Sequence, residues 1–277
     1  MSSATLETPL ASKLDHSGRV TFAHVVRSEW TKLRSVRSTL WSLFAAVVLT
    51  IGLPCLFAAV ISSHWGTMQP RERADRNPLD VALAGVNLSQ LAIGVLGVLV
   101  ISGEYSTGMI RASFTAVPKR LPVLFAKIGV FAAVTFALLL PSVLVAFFAS
   151  QAILGRHNIL QVSISDAGIA RCLVGGALFV TAMGVFSLAF GALARNTAGG
   201  IACFVGVLFV IPPLMNVLPS SWNTSISPYL PNNAGRAVFA LSHGSDTLGP
   251  WMGLGLFCGY TAALVLLAAV LLHRRDA

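Results

Sequence analysis

Few residues in this chain of 277 are placed to do chemistry. His64, His157, His243 and His273 lie in connecting segments or at a segment end, and no apolar stretch pairs a Ser or Cys nucleophile with a histidine, as an intramembrane hydrolase requires. Cys55, Cys172, Cys203 and Cys258 form no C-x-x-C pair and have no histidine at ligand spacing, so they read as small apolar packing residues and no metal site is expected. No G-x-x-x-x-G-K-[ST] phosphate loop occurs, which argues against ATP hydrolysis on this chain. Ionisable residues fall at the ends of the apolar runs, Glu104 and Lys127 among them at one predicted edge. Ion-coupled carriers usually bury such groups at membrane depth, and these runs hold almost none beyond their ends.

The elements that must position these groups follow from composition. Hydrophobic residues make up 55% and charged ones 10%, against about 25% charged in an ordinary soluble domain. A water-soluble fold is thereby excluded. The net charge of +9 is spread in short runs beside apolar segments and never forms one basic face, so nucleic acid is not an expected partner. Six segments are long and apolar enough to span a bilayer: about 40–62, 83–102, 123–153, 172–194, 199–218 and 250–272. The predicted fold class is an all-α membrane protein with six transmembrane helices. Pro54 and Pro141 lie inside the first and third spans and predict bends, and Pro212 with Pro213 predicts a break or end in the fifth. Gln69 to Asp80 holds three arginines, each costing roughly 2.5–3.5 kcal/mol at mid-bilayer, and must be a polar loop. In the other large loop, from Pro219 to Gly249, the apolar run Ala237 to Leu241 fits a short helix dipping back into the membrane edge.

Counting Lys and Arg on alternate sides of the spans gives thirteen against six, while the acids split five and five. The richer side is expected to be cytoplasmic, with both termini inside. This divides the chain into a disordered cytoplasmic tail (1–20), an amphipathic interfacial helix (21–39), a six-helix membrane domain (40–272) and a cytoplasmic tail (273–277). The first residues lack the central apolar run of a cleavable signal.

Two segments on that side stand out. Phe22, Val25, Val26, Trp30, Leu33 and Val36 recur at helical spacing, with Arg27, Glu29, Lys32, Arg34 and Arg37 elsewhere around the turn. That pattern describes a basic amphipathic helix lying on the membrane surface, either as an anchor or as a dock for a cytoplasmic partner. The connection Gly103 to Pro122 is nearly twenty residues long, where two to eight suffice to join spans. It holds an acid, a short helix with Met109, Ile110, Ser113 and Phe114 on one face ended by Pro118, and a basic exit at Lys119 and Arg120. It is either an ordinary inner loop or a surface offered to something in the cytoplasm. On the last span Gly249, Gly253, Gly255 and Gly259 give overlapping G-x-x-x-G faces, and Ser187 with Gly191 a small pair on the fourth; both suit internal packing or a dimer seam.

The pairing of SEWTKLRSVRST before the first span with GEYSTGMIRASFTAVPKR after the second, together with YLPNNAGRAVF at Tyr229 to Phe239, resembles the bacterial permease subunits of type-2 ABC exporters, over about residues 21–275. The resemblance implies a cell-membrane exporter subunit in which the first segment is an interfacial connecting helix and the loop after the second span carries a coupling helix. The coupling role would fall to Glu104, Tyr105, Thr107, Gly108, Met109, Arg111 and Pro118. It implies a second permease, identical or a sister chain, and separate ATPase subunits holding ATP and Mg. The other readings are an ion-coupled secondary transporter and a non-transporting membrane scaffold.

Overall fold

The computed structural model describes residues 21–74, 76–106, 120–157, 159, 161–215, 217, 219, 222, 225–241 and 247–274. Among these no strand occurs, as lipid requires of an apolar chain whose backbone polar groups must be satisfied within each segment. Six helices are long and apolar enough to cross a membrane: α2 (Arg37–His64), α4 (Pro78–Ser106), α5 (Arg120–Gly155), α6 (Ile169–Ala194), the fifth span Thr197–Met215, and α10 (Pro250–Arg274). Each overlaps a predicted span, extended by up to five residues at an end because a helix continues through polar flanking residues that hydropathy leaves out; the fifth instead ends at Met215, three residues short of the expected 218. Before them lies α1 (Phe22–Ser35), separated from α2 by one extended residue, Val36. Arg37 and the two residues after it therefore belong to the first span, and the interfacial helix is shorter than the predicted 21–39. The tail 1–20 and most of the connection after α4 lie outside the described residues.

Local chemistry sets the boundaries. Asn77 Oδ1 accepts the Leu79 N–H at 2.9 Å and Pro78 opens α4, so the predicted polar loop ends three residues before Asp80 does; within the loop sits a short α3 (Pro70–Ala74). Gly168, at φ +84°, starts α6 in a backbone region open to glycine. Arg195 ends it at φ 52°, its N–H bonded to Gly191 O, and Asn196 Oδ1 then caps the next helix through the Gly199 N–H. These two residues turn the chain back on itself. The fifth span comprises α7 (Thr197–Val205), a π turn (Gly206–Val210) and α8 (Ile211–Met215). Pro212 and Pro213 supply no N–H and crowd the preceding carbonyls, and the widened turn, closed by Ile211 N–H to Gly206 O, accommodates them. The expected break is thus a change of helix type.

α6 is central: 72% of its apolar window is buried, against 17% for the fifth span. It packs on α4, α5, α7 and α10, while α2 lies on α4 and α5. Small residues let these backbones approach. A Cβ on Gly97 would meet Gly184 O at 2.3 Å and one on Gly191 would meet Val98 O at 2.8 Å, so α4 and α6 touch nearly backbone to backbone. Gly85 fits against the Thr50 carbonyl, the group that Pro54 leaves without its helical partner. On α10 Gly253 is packed in this way, against Ala234 O; among the described residues nothing lies within 4 Å of a Cβ on Gly249, Gly255 or Gly259. The predicted glycine face is internal at one position: Gly249 precedes α10, and Gly255 and Gly259 lie around the helix from Gly253, on another side.

Candidate functional site

The site begins on α1. Counted by spacing alone, its apolar residues should all face one way, yet Phe22 and Trp30 are exposed, whereas Val25, Glu29 and Leu33 are buried. Those three are four residues apart and form the stripe that lies on α5. Glu29, only 2% exposed, is turned inward because a cation awaits it.

That cation is Lys127, two turns into α5. Its ammonium donates to Glu29 Oε2 at 2.5 Å and to Glu104 Oε1 at 2.8 Å. Lys32, one turn beyond Glu29, donates to Glu29 Oε1 at 2.6 Å and to Glu104 Oε1 at 3.0 Å. The result is a closed ring of two ammoniums and two carboxylates joining α1, the last turn of α4 and the start of α5. Glu104 is 6% and Lys127 4% exposed. Desolvating an ion costs several kcal/mol, so four such groups are held together only because each lysine bridges both acids and the ring is neutral. Burial depresses the Lys32 pKa, but hydrogen bonds and charge from Glu29 and Glu104 outweigh it and hold the group above the ordinary value of 10.5. Beside the ring lies a cavity of about 250 Å³ bordered by Glu29, Lys32, Leu33, Gly103, Glu104 and Lys127. The groups around it have room to rearrange.

Tyr105, next to Glu104, lies under the Arg195 guanidinium, 5.5 Å from its ring centre, and Ser102 hydrogen-bonds Thr197 at 2.8 Å. The end of α4 is thus tied to the α6–α7 turn as well. Of the sequence-predicted residues, the structure brings together Glu29, Lys32 and Glu104, with Tyr105 adjoining. Trp30, Arg34 and Arg37 stay exposed on α1 and the first turn of α2, away from the ring. Thr107, Gly108, Met109, Arg111 and Pro118 lie outside the described residues. Sequence reasoning left out Lys127 as a site residue, although a lysine inside an apolar run is by itself a functional signal.

The other end of the bundle holds the segment Tyr229 to Phe239. α9 (Pro231–Arg236) and the 3-10 turn Ala237–Phe239 pack between α6 and α10, with Ala234 and Val238 fully buried. Arg171 donates to Val238 O at 2.7 Å and to Ala240 O at 3.0 Å, clamping the segment to the first turn of α6. Phe239 and Phe257 flank Phe179 at 5.3 and 5.8 Å. Phe179 is ten residues into α6, about 15 Å from its start, so the segment reaches well inside the bundle. The expected short helix is present, six residues earlier than the apolar run suggested.

Among the described residues no cluster of His, Cys, Asp or Glu could hold a metal ion. Neither a family model nor a curated protein sequence matches the chain. The fold is that of a multi-pass, all-helical membrane protein.

Proposed function

We propose that this chain is the membrane-spanning subunit of an ATP-driven exporter of the type-2 ABC class, forming half of the translocation path beside a second permease and driven by ATPase subunits on separate polypeptides that carry ATP and Mg. The observation that supports this reading is the buried ion ring. Glu104 lies three residues before Thr107 and Lys127 eight after Lys119, so the ring fastens α4 and α5, the helices on either side of the connection 107–119, to each other and to α1. A push on that connection would move α1, α4 and α5 as one body. Such an arrangement suits a subunit that receives force from outside the membrane. The thirteen-to-six cation bias supports an orientation with this end on the cytoplasmic side of a bacterial cell membrane, where ATP is.

A second reading, an ion-coupled carrier, draws on the same buried carboxylates. It is weaker because both acids are already neutralised by lysines, leaving no net negative charge to hold a proton or sodium ion.

Affinity purification of the tagged chain from mild detergent, with mass spectrometry and an ATPase assay on the eluate, tests the proposal. The expected result is a stoichiometric ATPase partner with vanadate-sensitive turnover. Glu104→Ala should lower turnover while membrane insertion is retained; equal loss of both would remove the coupling assignment. A single inactive chain that accumulates substrate against an ion gradient would establish the carrier instead.

A further inference from the structure

On the side of α1 away from the ring, a groove of about 890 Å³ opens between α1, α2 and α5. Its walls are Leu33, Leu43, Val130, Val134 and Leu138, with alanines between them, and among the described residues its charged lining is Arg27 and Arg34 at the lip, beside Trp30. Val130, Val134 and Leu138 stack one turn apart, so the apolar strip runs about 12 Å along α5, away from the two guanidiniums. Arg27 and Arg34 are exposed, and neither is paired with an acid among the described residues.

We infer that this groove binds an anionic phospholipid, its headgroup phosphate held by Arg27 and Arg34 and an acyl chain lying along Val130, Val134 and Leu138. The charge at one end and the unbroken apolar strip below it match an amphiphile aligned with the bilayer. A peptide would bring backbone N–H and C=O groups that the walls do not satisfy. Leu33 lines both this groove and the cavity beside the ion ring, so one side chain separates the lipid from the site. An occupied groove fills the space under α1 and supports the helix that carries Glu29 and Lys32. The inference rests on the spanning fold and not on the exporter reading, and its test needs no ATPase.

The full chain, with Trp41, Trp65, Trp222 and Trp251 changed to Phe, is reconstituted in phosphatidylcholine nanodiscs containing a rising fraction of brominated phosphatidylglycerol or brominated phosphatidylcholine, and Trp30 fluorescence is followed. Two guanidiniums near one anionic headgroup should give phosphatidylglycerol at least about a tenfold preference in quenching Trp30. Arg27→Gln with Arg34→Gln should abolish that preference, and Ala137→Phe should reduce quenching by both lipids. A chain keeping only Trp251 reports lipid access elsewhere and should show no preference. Equal quenching by the two lipids, or a preference untouched by the arginine changes, overturns the inference. So does absence of quenching by either, the result expected if a second copy or residues 1–20 cover the groove.

Discussion

At the scale of single residues, the four charges around Glu104 make opposite demands on a substitution. Lys127→Met leaves two buried carboxylates with one lysine between them, and loss of one partner from a buried pair costs about 3–5 kcal/mol. Adding Glu29→Gln removes the charge left behind, so the double variant should recover part of the loss. A thermal-melt double-mutant cycle should report a coupling of about 0.5–3 kcal/mol; strict additivity would mean that the two groups do not meet. Lys32 supplies a pH test. Its folded pKa lies above the ordinary 10.5, so its contribution to stability is fully present below that pH and is lost as pH rises through the folded value. The melting temperature should therefore fall more steeply above pH 10.5 in the wild type than in Lys32→Met, and parallel curves would separate Lys32 from the ring. Of this pairing only Glu29 with Lys32, one turn apart on α1, was readable locally. Glu29 and Lys127 are 98 residues apart, and a periodicity window assigns an acid to the polar face because it holds no information about a distant partner.

At the scale of elements, hydropathy captured the spans because lipid imposes length and polarity on each helix separately. It did not capture which glycines are internal, since that depends on which helix faces which. Gly191→Leu should destabilise the bundle by at least about 1–3 kcal/mol, because its new side chain meets the backbone of α4 at Val98. Gly259→Ala has open space and a better helix propensity, and should be neutral or stabilising by up to about 1 kcal/mol. Measured by melting in detergent, destabilisation by Gly259→Ala would reveal a neighbour outside this chain. The segment Tyr229 to Phe239 was half legible: its apolar run marked it, but the Arg171 clamp that fixes it lies some 70 residues earlier, on α6.

For the whole molecule, the unequal burial of the spans is the main architectural fact. α4 and α6 form a protein-lined centre, while the fifth span, α10 and much of α2 show apolar surface outward, as contact with lipid requires. The cation bias predicts both ends of the chain on the cytoplasmic side, and reporter fusions test it: fluorescent protein at either terminus should glow, and alkaline phosphatase at either should be inactive. Active phosphatase at one end only would break the six-span count. The neutrality of the ion ring bears on energetics at this scale. Moving one elementary charge through the membrane potential involves about 2.3 kcal/mol per 100 mV, but two ammoniums and two carboxylates travelling together carry no gating charge. A displacement of the α1 end therefore draws no voltage dependence from the ring, and the charges there on which the membrane potential can act are exposed ones such as Arg27 and Arg34.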